Sequence, residues 1–248
     1  MVGGVLDRAG VDAVLNDLDE YAIEEALRIV EPLNEGKESP EHTITIISMG
    51  PDRATEAIRK GLSMGADSGI LVADAALAGS DAIATSRVLA DVITKGGFDL
   101  VFCGTESTDA RMSVVPAMLA ERLGWAQLTF AGSVKVDVGS SSVEIARMTE
   151  SGVETMSANF PCVISVIEKI NEPRYPSFKG IMAAKKKVIE TTSLADLGLS
   201  SSEVGSSGAW SAVLDAQPRP ARDKGIKVED AGDGGTKLAE YLAEKRLV

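Results

Sequence analysis

The regular alternation of short apolar runs with longer amphipathic segments is the feature that most constrains the fold of this chain. Residues 43–49, 69–74 and 99–104 have the length and apolar content of strands buried in a parallel sheet. Apolar residues recur at helical spacing between and beside these runs, in residues 17–31, 52–65, 78–97 and 114–123. Strands that alternate with helices favour an α/β fold with a doubly wound, mostly parallel, Rossmann-like sheet.

The second half of the chain has a different pattern. Alternating apolar and polar residues around Gly-Ser turns predict a β-hairpin insertion, followed by a strand that returns to the sheet, in residues 132–138, 143–149, 152–158 and 161–168. Residues 169–190 are expected to form a long connection. Ser, Gly, Pro and Asp then dominate, which is typical of an extended arm, and a short helix ends the chain. The predicted domains are an α/β nucleotide-binding domain at 1–190 and a C-terminal arm at 191–248.

The net charge of the chain disfavours several classes of partner. The 248 residues carry a formal charge of −12, and so acidic a surface repels phosphate backbones and anionic lipid. We therefore expect no nucleic-acid partner. No apolar run reaches the roughly 18 residues that span a bilayer, and no signal peptide is recognised, so we expect no membrane insertion and a cytoplasmic location.

Cysteine and histidine offer no catalytic or metal-binding constellation. Cys103 and Cys162 each lie in an apolar stretch without a neighbouring Cys or His, so both are expected to be buried and reduced. His42 is the only histidine, and neither a G-x-S-x-G nor an H-E-x-x-H motif occurs. We therefore predict no catalytic residue and no metal site.

The loop after the 99–104 strand is the first candidate binding site, because ligands of open α/β sheets lie beyond the carboxyl ends of strands. Gly104 permits close backbone approach, and the following residues supply hydroxyls, a carboxylate and the cation of Arg111. The helix that begins near Ser113 offers free N–H groups to a phosphate. Met49 ends another strand at the same edge of the sheet. The alternative is an ordinary polar turn that caps the helix.

Residues 168–190 form the second candidate, which we call the 168–190 segment. It combines two prolines with the apolar side chains Tyr175, Phe178 and Met182 and three consecutive lysines. Apolar side chains on a proline-braced loop are costly unless a partner covers them, which indicates a protein-binding surface. The alternative is a loop that packs on the protein's own core.

Five motifs, in this order, resemble the beta subunit of electron-transfer flavoprotein. They are LND-x-DEYAIEEALR, ATEAIRKGLSMGAD, GTESTDARMSVVPAMLAERLG, R-x2-E-x-G-x-ET and, most specifically, NEPRYPSF-x2-IM-x-AKKK. The resemblance implies an adenine-nucleotide-binding type of fold, a heterodimer with an alpha subunit that holds most of an FAD, and an AMP in this chain. It also implies electron flow from flavin-dependent, acyl-CoA-type dehydrogenases to a membrane quinone-linked acceptor, without catalytic residues here.

The resemblance also assigns site residues by matching motif. Cofactor binding falls to the start of the first helix, to one strand end and to the loop, namely Asn16, Asp17, Leu18, Asp19, Met49, Gly104, Thr105, Glu106, Ser107, Thr108, Asp109, Ala110, Arg111, Met112, Ser113, Val114 and Val115. Leu18 stands where the family often has a flavin-facing Phe. Dehydrogenase docking falls to Glu172, Pro173, Arg174, Tyr175, Phe178, Ile181 and Met182, with Phe178 as the apolar anchor. The C-terminal arm would contact the alpha subunit.

Three departures from the family pattern bear on these expectations. The family's opening strand and V-K-x-V-P-D-type loop are not recognised before Asn16, and losing that strand would leave two strands unpaired in the middle of the sheet. We therefore expect a truncated chain, a misassigned start or a chain that folds only with help. Met148 replaces an acidic residue, and the loop after Gly104 has fewer acids than many relatives. The alternatives are a stand-alone adenine-nucleotide-binding stress-type protein, an inactive truncated copy and a Rossmann-type enzyme.

Overall fold

The computed structural model describes residues 6–8, 10–217, 219–222, 224–225 and 227–248. The chain divides into two compact units, one that ends at Val213 and one that begins at Leu214. The described part of the second unit includes the helix α8 (Gly234–Glu244), as the sequence predicts. Among the described residues no helix is both long enough and apolar enough to cross a membrane.

Helices and strands alternate through the first part of the larger unit, as the sequence predicts. The elements are α1 (Asp17–Asn34), β1 (Thr45–Met49), α2 (Thr55–Met64), β2 (Ser68–Val72), α3 (Ala82–Gly96), β3 (Leu100–Gly104) and α4 (Val115–Leu123). Next come β4 (Ala126–Asp137), β5 (Ser142–Thr149), β6 (Gly152–Asn159), β7 (Cys162–Val166), α5 (Phe178–Ala184), β8 (Ile189–Thr192), α6 (Leu194–Leu197) and α7 (Gly205–Gly208).

The strands form two sheets. β1, β2 and β8 make a parallel sheet in the order β1-β2-β8. The other sheet has the order β3-β7-β4-β5-β6, in which β3, β7 and β4 are parallel. β4, β5 and β6 pair antiparallel as a meander, which is the predicted hairpin insertion. The α/β, Rossmann-like fold class predicted from the sequence is confirmed.

Two helices join the sheets across a gap in strand pairing. β1 and β3 are each at the end of their sheet, and no described strand pairs with their free edges. On α1, Ile23 packs with Ile46 of β1 while Ala22 packs in the core of the five-stranded sheet. On α3, Ala90 and Ile93 belong to a cluster that receives side chains of both β1 and β3.

The larger unit extends past the predicted boundary at residue 190. β8 pairs with β2, and Leu194, Leu197, Leu199 and Val204 are buried in one cluster with Val72 of β2 and Val88 of α3. The Ser-rich composition is explained by helix capping, because Ser193 forms a capping box at the start of α6 and Ser200 forms another, seven residues later, at the start of a short 3-10 helix (Ser201–Glu203). Sequence composition therefore placed the start of the arm too early, and it missed α5 and β8 within the 168–190 segment.

Gly104 at the end of β3 allows α1 to cross the sheet at close range. A Cβ atom at this position would lie 2.6 Å from the backbone carbonyl carbon of Leu18, a separation that real Cβ atoms do not adopt without backbone movement. The close approach permitted by Gly104 is thus to the chain's own helix.

Replacing Gly104 with Ala is expected to lower the free energy of unfolding by about 1–3 kcal/mol, because α1 must shift away from the sheet. Urea denaturation measures the change. Gly235→Ala is the control, since a Cβ there meets no atom within 4 Å; because Gly235 lies in α8 and Ala is the better helix former, this change is expected to leave stability unchanged or to raise it slightly. Equal unfolding midpoints for Gly104→Ala and the parent protein would contradict the packing described here.

Candidate functional site

A cavity of about 2430 Å³ opens at the carboxyl ends of β1 and β3. It continues into the gap between these strands, where Ile46 and Ile47 of β1 and Leu100 and Phe102 of β3 line it. Pockets for one small ligand usually measure about 300–1,000 Å³. A single nucleotide would therefore fill only part of this space.

The structure brings most of the predicted cofactor-binding residues to this cavity. Asn16, Asp19 and Met49 line it together with the loop after β3, apart from Arg111. Asp17, Leu18 and Arg111 do not line it. The backbone of Leu18 instead packs against Gly104, where α1 contacts the end of β3.

Asn16 links the start of α1 to the loop at residues 104–115, which we call the 104–115 loop. The Asn16 side-chain amide donates to the carbonyl of Glu106 and to the carboxylate of Asp19, both at 3.0 Å. Its carbonyl oxygen accepts the backbone N–H of Thr108, also at 3.0 Å. This residue is therefore committed to holding the loop against α1, which fixes the shape of one wall of the cavity.

The 104–115 loop leads into a helix start that no described side chain caps. Arg111 and Ser113 have left-handed backbone conformations, with φ of 51° and 54°, and the Ser113 hydroxyl donates to the Glu106 carboxylate at 2.8 Å. α4 then begins without a side-chain cap and with Pro116 in its first turn. The described loop therefore does not cap α4 through a side chain, and the open N-terminus of a helix is suited to an anion.

Asp19 and Cys103 lie together at the base of the cavity. The Gly104 N–H donates to Asp19 at 2.7 Å. Burial raises the pKa of Asp19, against hydrogen bonds from Asn16 and Gly104 that lower it. Burial, with the neighbouring Asp19 charge, raises the pKa of Cys103 to about 12, and burial raises that of Cys162 to about 11. Both thiols are free and protonated at neutral pH, so neither is an activated nucleophile.

Asp81 is a residue of the cavity wall that sequence reasoning missed. Its carboxylate caps α3 at the N–H of Ala84, and it also accepts the backbone N–H groups of Trp210 and Ser211 at 2.8 and 3.0 Å. Burial raises the pKa of Asp81, but these hydrogen bonds outweigh that effect and lower it. Ser-Asp before a helix is a common capping pattern, but nothing in the sequence marks the contact with residues about 130 positions away.

The 168–190 segment displays its apolar side chains to solvent. Tyr175 is 96% exposed and Phe178 is 80% exposed, and Ile181 and Met182 are also exposed. Ser177 begins α5 with a side-chain cap, accepting the N–H of Gly180 at 3.0 Å. The alternative, in which these side chains pack on the protein's own core, is therefore wrong for the described structure.

The raised pKa of Asp19 predicts a pH dependence of stability. Folding opposes ionisation of this carboxyl, so its contribution to stability is present at acid pH and is lost as pH rises through the raised pKa. The free energy of unfolding of the parent minus that of Asp19→Asn should therefore fall over the pH range that begins at the ordinary aspartic acid pKa of about 4. Chemical denaturation of both proteins across this range measures the difference.

Asp137 provides a control of opposite sign. Hydrogen bonds from Ser140 lower the pKa of Asp137, so its stabilising contribution is present above the usual pKa and is lost as pH falls. The free energy of unfolding of the parent minus that of Asp137→Asn should rise with pH. If both differences changed with pH in the same direction, the assignment of Asp19 as a carboxyl whose ionisation is suppressed would be contradicted.

Comparison with known proteins identifies the family of this chain. The family model for the electron transfer flavoprotein domain matches residues 3–197. Over 244 residues the chain is 48% identical to electron transfer flavoprotein subunit beta of Mycobacterium tuberculosis H37Rv and 47% identical to that of Mycobacterium leprae, covering 98% of this chain and 90% of each relative. The same subunit of Megasphaera elsdenii is 33% identical over 245 residues, covering 96% and 88%. The chain therefore belongs to the electron transfer flavoprotein family and is similar, over nearly its whole length, to the beta subunits of that family.

Proposed function

We propose that this chain is the beta subunit of a heterodimeric electron carrier whose alpha subunit holds most of an FAD. Flavin-dependent, acyl-CoA-type dehydrogenases donate the electrons, and a membrane quinone-linked acceptor receives them. The observation that carries the proposal is the row of exposed apolar side chains on the 168–190 segment, since a soluble protein rarely leaves Tyr175 and Phe178 uncovered without a partner.

The proposed AMP site is the part of the cavity next to the 104–115 loop. The open N-terminus of α4 suits the phosphate, and Ser107 and Thr108 offer polar atoms at the exposed rim. Arg8, which pairs with Asp109 at 2.6 Å, is a cation close enough to offset the acidic side chains of the loop. The chemistry of this donor set fits an adenine mononucleotide, which would stiffen the wall that Asn16 already braces.

The proposed contribution of this chain to redox chemistry is positional. An isoalloxazine ring supplies the electron transfer itself when FAD is bound by the alpha subunit. In this chain, the high pKa values of Cys103 and Cys162 support the absence of a catalytic thiol. The two free cysteines also accord with the reducing conditions of a cytoplasm.

The C-terminal residues from Leu214 are proposed to contact the alpha subunit, because most of their large apolar side chains are exposed.

The proposed division of labour separates recognition from electron transfer. A dehydrogenase binds the 168–190 segment through the Phe178 side chain, and the cavity side of the molecule supports the flavin-carrying subunit. Because the two surfaces are formed by different elements, a change in one is expected to leave the other intact.

Phe178→Ala is expected to raise the KM of a dehydrogenase for the carrier about five- to thirtyfold, because removing a buried interface anchor costs more than about 1 kcal/mol. The flavin content of the carrier should not change. Steady-state electron transfer at varied carrier concentration measures KM. Val153→Ala, which shortens an exposed apolar side chain on β6, is the control and should behave as the parent. An unchanged KM in Phe178→Ala would contradict the proposed docking surface.

A further inference from the structure

The guanidinium of Arg174 is held by two carboxylates of α1. Nε and Nη2 donate to the oxygens of Glu24 at 2.8 and 3.1 Å, and the backbone N–H of Arg174 donates to the same carboxylate at 3.2 Å. Nη1 and Nη2 donate to the oxygens of Glu31 at 2.5 and 3.0 Å. These contacts use four of the five N–H groups of the guanidinium. Three residues earlier, Asn171 donates to Glu25 of the same helix at 2.9 Å.

Glu24 requires this pairing because it is only 4% exposed. A carboxylate so deeply buried is stable only with a cationic partner and well-formed hydrogen bonds. Arg28 lies 3.4 Å away but is itself mostly exposed. Burial raises the pKa of Glu24, and the hydrogen bonds from Arg174 outweigh burial and lower it. Glu24 is therefore ionised at neutral pH and holds Arg174 as a complete ion pair.

A second anchor fixes the other end of the segment to α2. Arg59 donates to the carbonyls of Ala184 and Lys187, at 2.5 and 2.6 Å, at the end of α5. Lys187 in turn donates to carbonyls at the end of α2, among them those of Leu62 and Gly65 at 3.3 and 3.2 Å. Each cation thus satisfies carbonyls left without partners at the end of the other helix.

Tyr175 and Phe178 lie between these two anchors. We propose that Glu24, acting through Arg174, is a positioning residue that holds the 168–190 segment in its binding conformation before a partner arrives. The inference rests on the proposed docking function of that segment. It assigns Arg174 to the support of the surface, whereas sequence resemblance grouped it with the residues that touch the partner. A loop ordered in advance loses less conformational entropy on association, which strengthens binding.

Glu24→Gln keeps the shape of the side chain and removes its charge, so it tests the inference directly. Hydrogen exchange of the full chain is expected to become about tenfold faster at the hydrogen-bonded backbone amides of Arg174, Gly180 and Ile181, because the loss of a buried ion pair makes local opening of the segment more frequent. The KM of a dehydrogenase for the flavin-loaded carrier is expected to rise about three- to tenfold with kcat unchanged, as ordering a few side chains costs this much. Unchanged exchange would overturn the inference.

Two further variants test whether the effect is specific to the carboxylates that bind Arg174. Glu20→Gln removes the same charge one turn earlier on α1, where Glu20 pairs with Lys60 at 3.0 Å, and should leave both readouts at parent values. Glu31 is half exposed, so Glu31→Gln is expected to fold and to change both readouts in the same direction as Glu24→Gln, by a smaller factor. No change with Glu31→Gln would contradict the two-carboxylate arrangement.

A double-mutant cycle separates positioning from direct contact. If Arg174 acts only through Glu24 and Glu31, Glu24→Gln and Arg174→Gln should together raise KM no more than the larger single change. Multiplicative effects would show that Arg174 itself touches the dehydrogenase and would overturn the inference.

Phe178→Ala in the same assay tests the docking function separately. An unchanged KM in Phe178→Ala contradicts the docking surface, whereas the hydrogen-exchange rates of Glu24→Gln still decide whether Glu24 orders the segment.

Discussion

The packing of α1 across the gap between the two sheets is the constraint on which the rest of the structure depends. Its N-terminal part lies on the end of β3, where Gly104 lets the backbones meet and Asp19 accepts the Gly104 N–H. Its middle carries Ile23 onto β1. Since β1 and β3 do not pair with each other, side-chain contacts from α1 and α3 replace the hydrogen bonds that would normally join adjacent strands.

The same helix organises both candidate functional surfaces. Its first residues brace the 104–115 loop through Asn16, and the face one to two turns later holds the 168–190 segment through Glu24 and Glu31. The 104–115 loop and the 168–190 segment are about 60 residues apart in sequence, yet each is positioned against one rigid element. A carrier that must present one surface to a donor and another to its flavin-bearing partner benefits from such a shared, rigid support.

The sequence predicted the elements whose signals are local and could not predict contacts between distant residues. Apolar periodicity located α1 to α4, β1 to β3 and the β4–β6 meander, because each pattern lies within one element. The packed stretch from β8 to α7 resembled a linker, since Ser and Gly there serve as helix caps and its few Leu residues do not repeat at a regular spacing. The Asp81–Trp210 and Glu24–Arg174 contacts join residues 129 and 150 positions apart, and no pattern in one sequence marks such pairs. Residues of the 104–115 loop, which a motif and a strand end both marked in the sequence, mostly line the cavity.

The central claim is that this chain is a rigid support for a flavin held by another subunit. Native mass spectrometry of the chain purified together with a family alpha subunit tests it most directly. The account predicts a yellow complex with one copy of each subunit, one FAD and one AMP. A colourless homodimer with bound nucleotide, or two folded chains that do not associate, would contradict it.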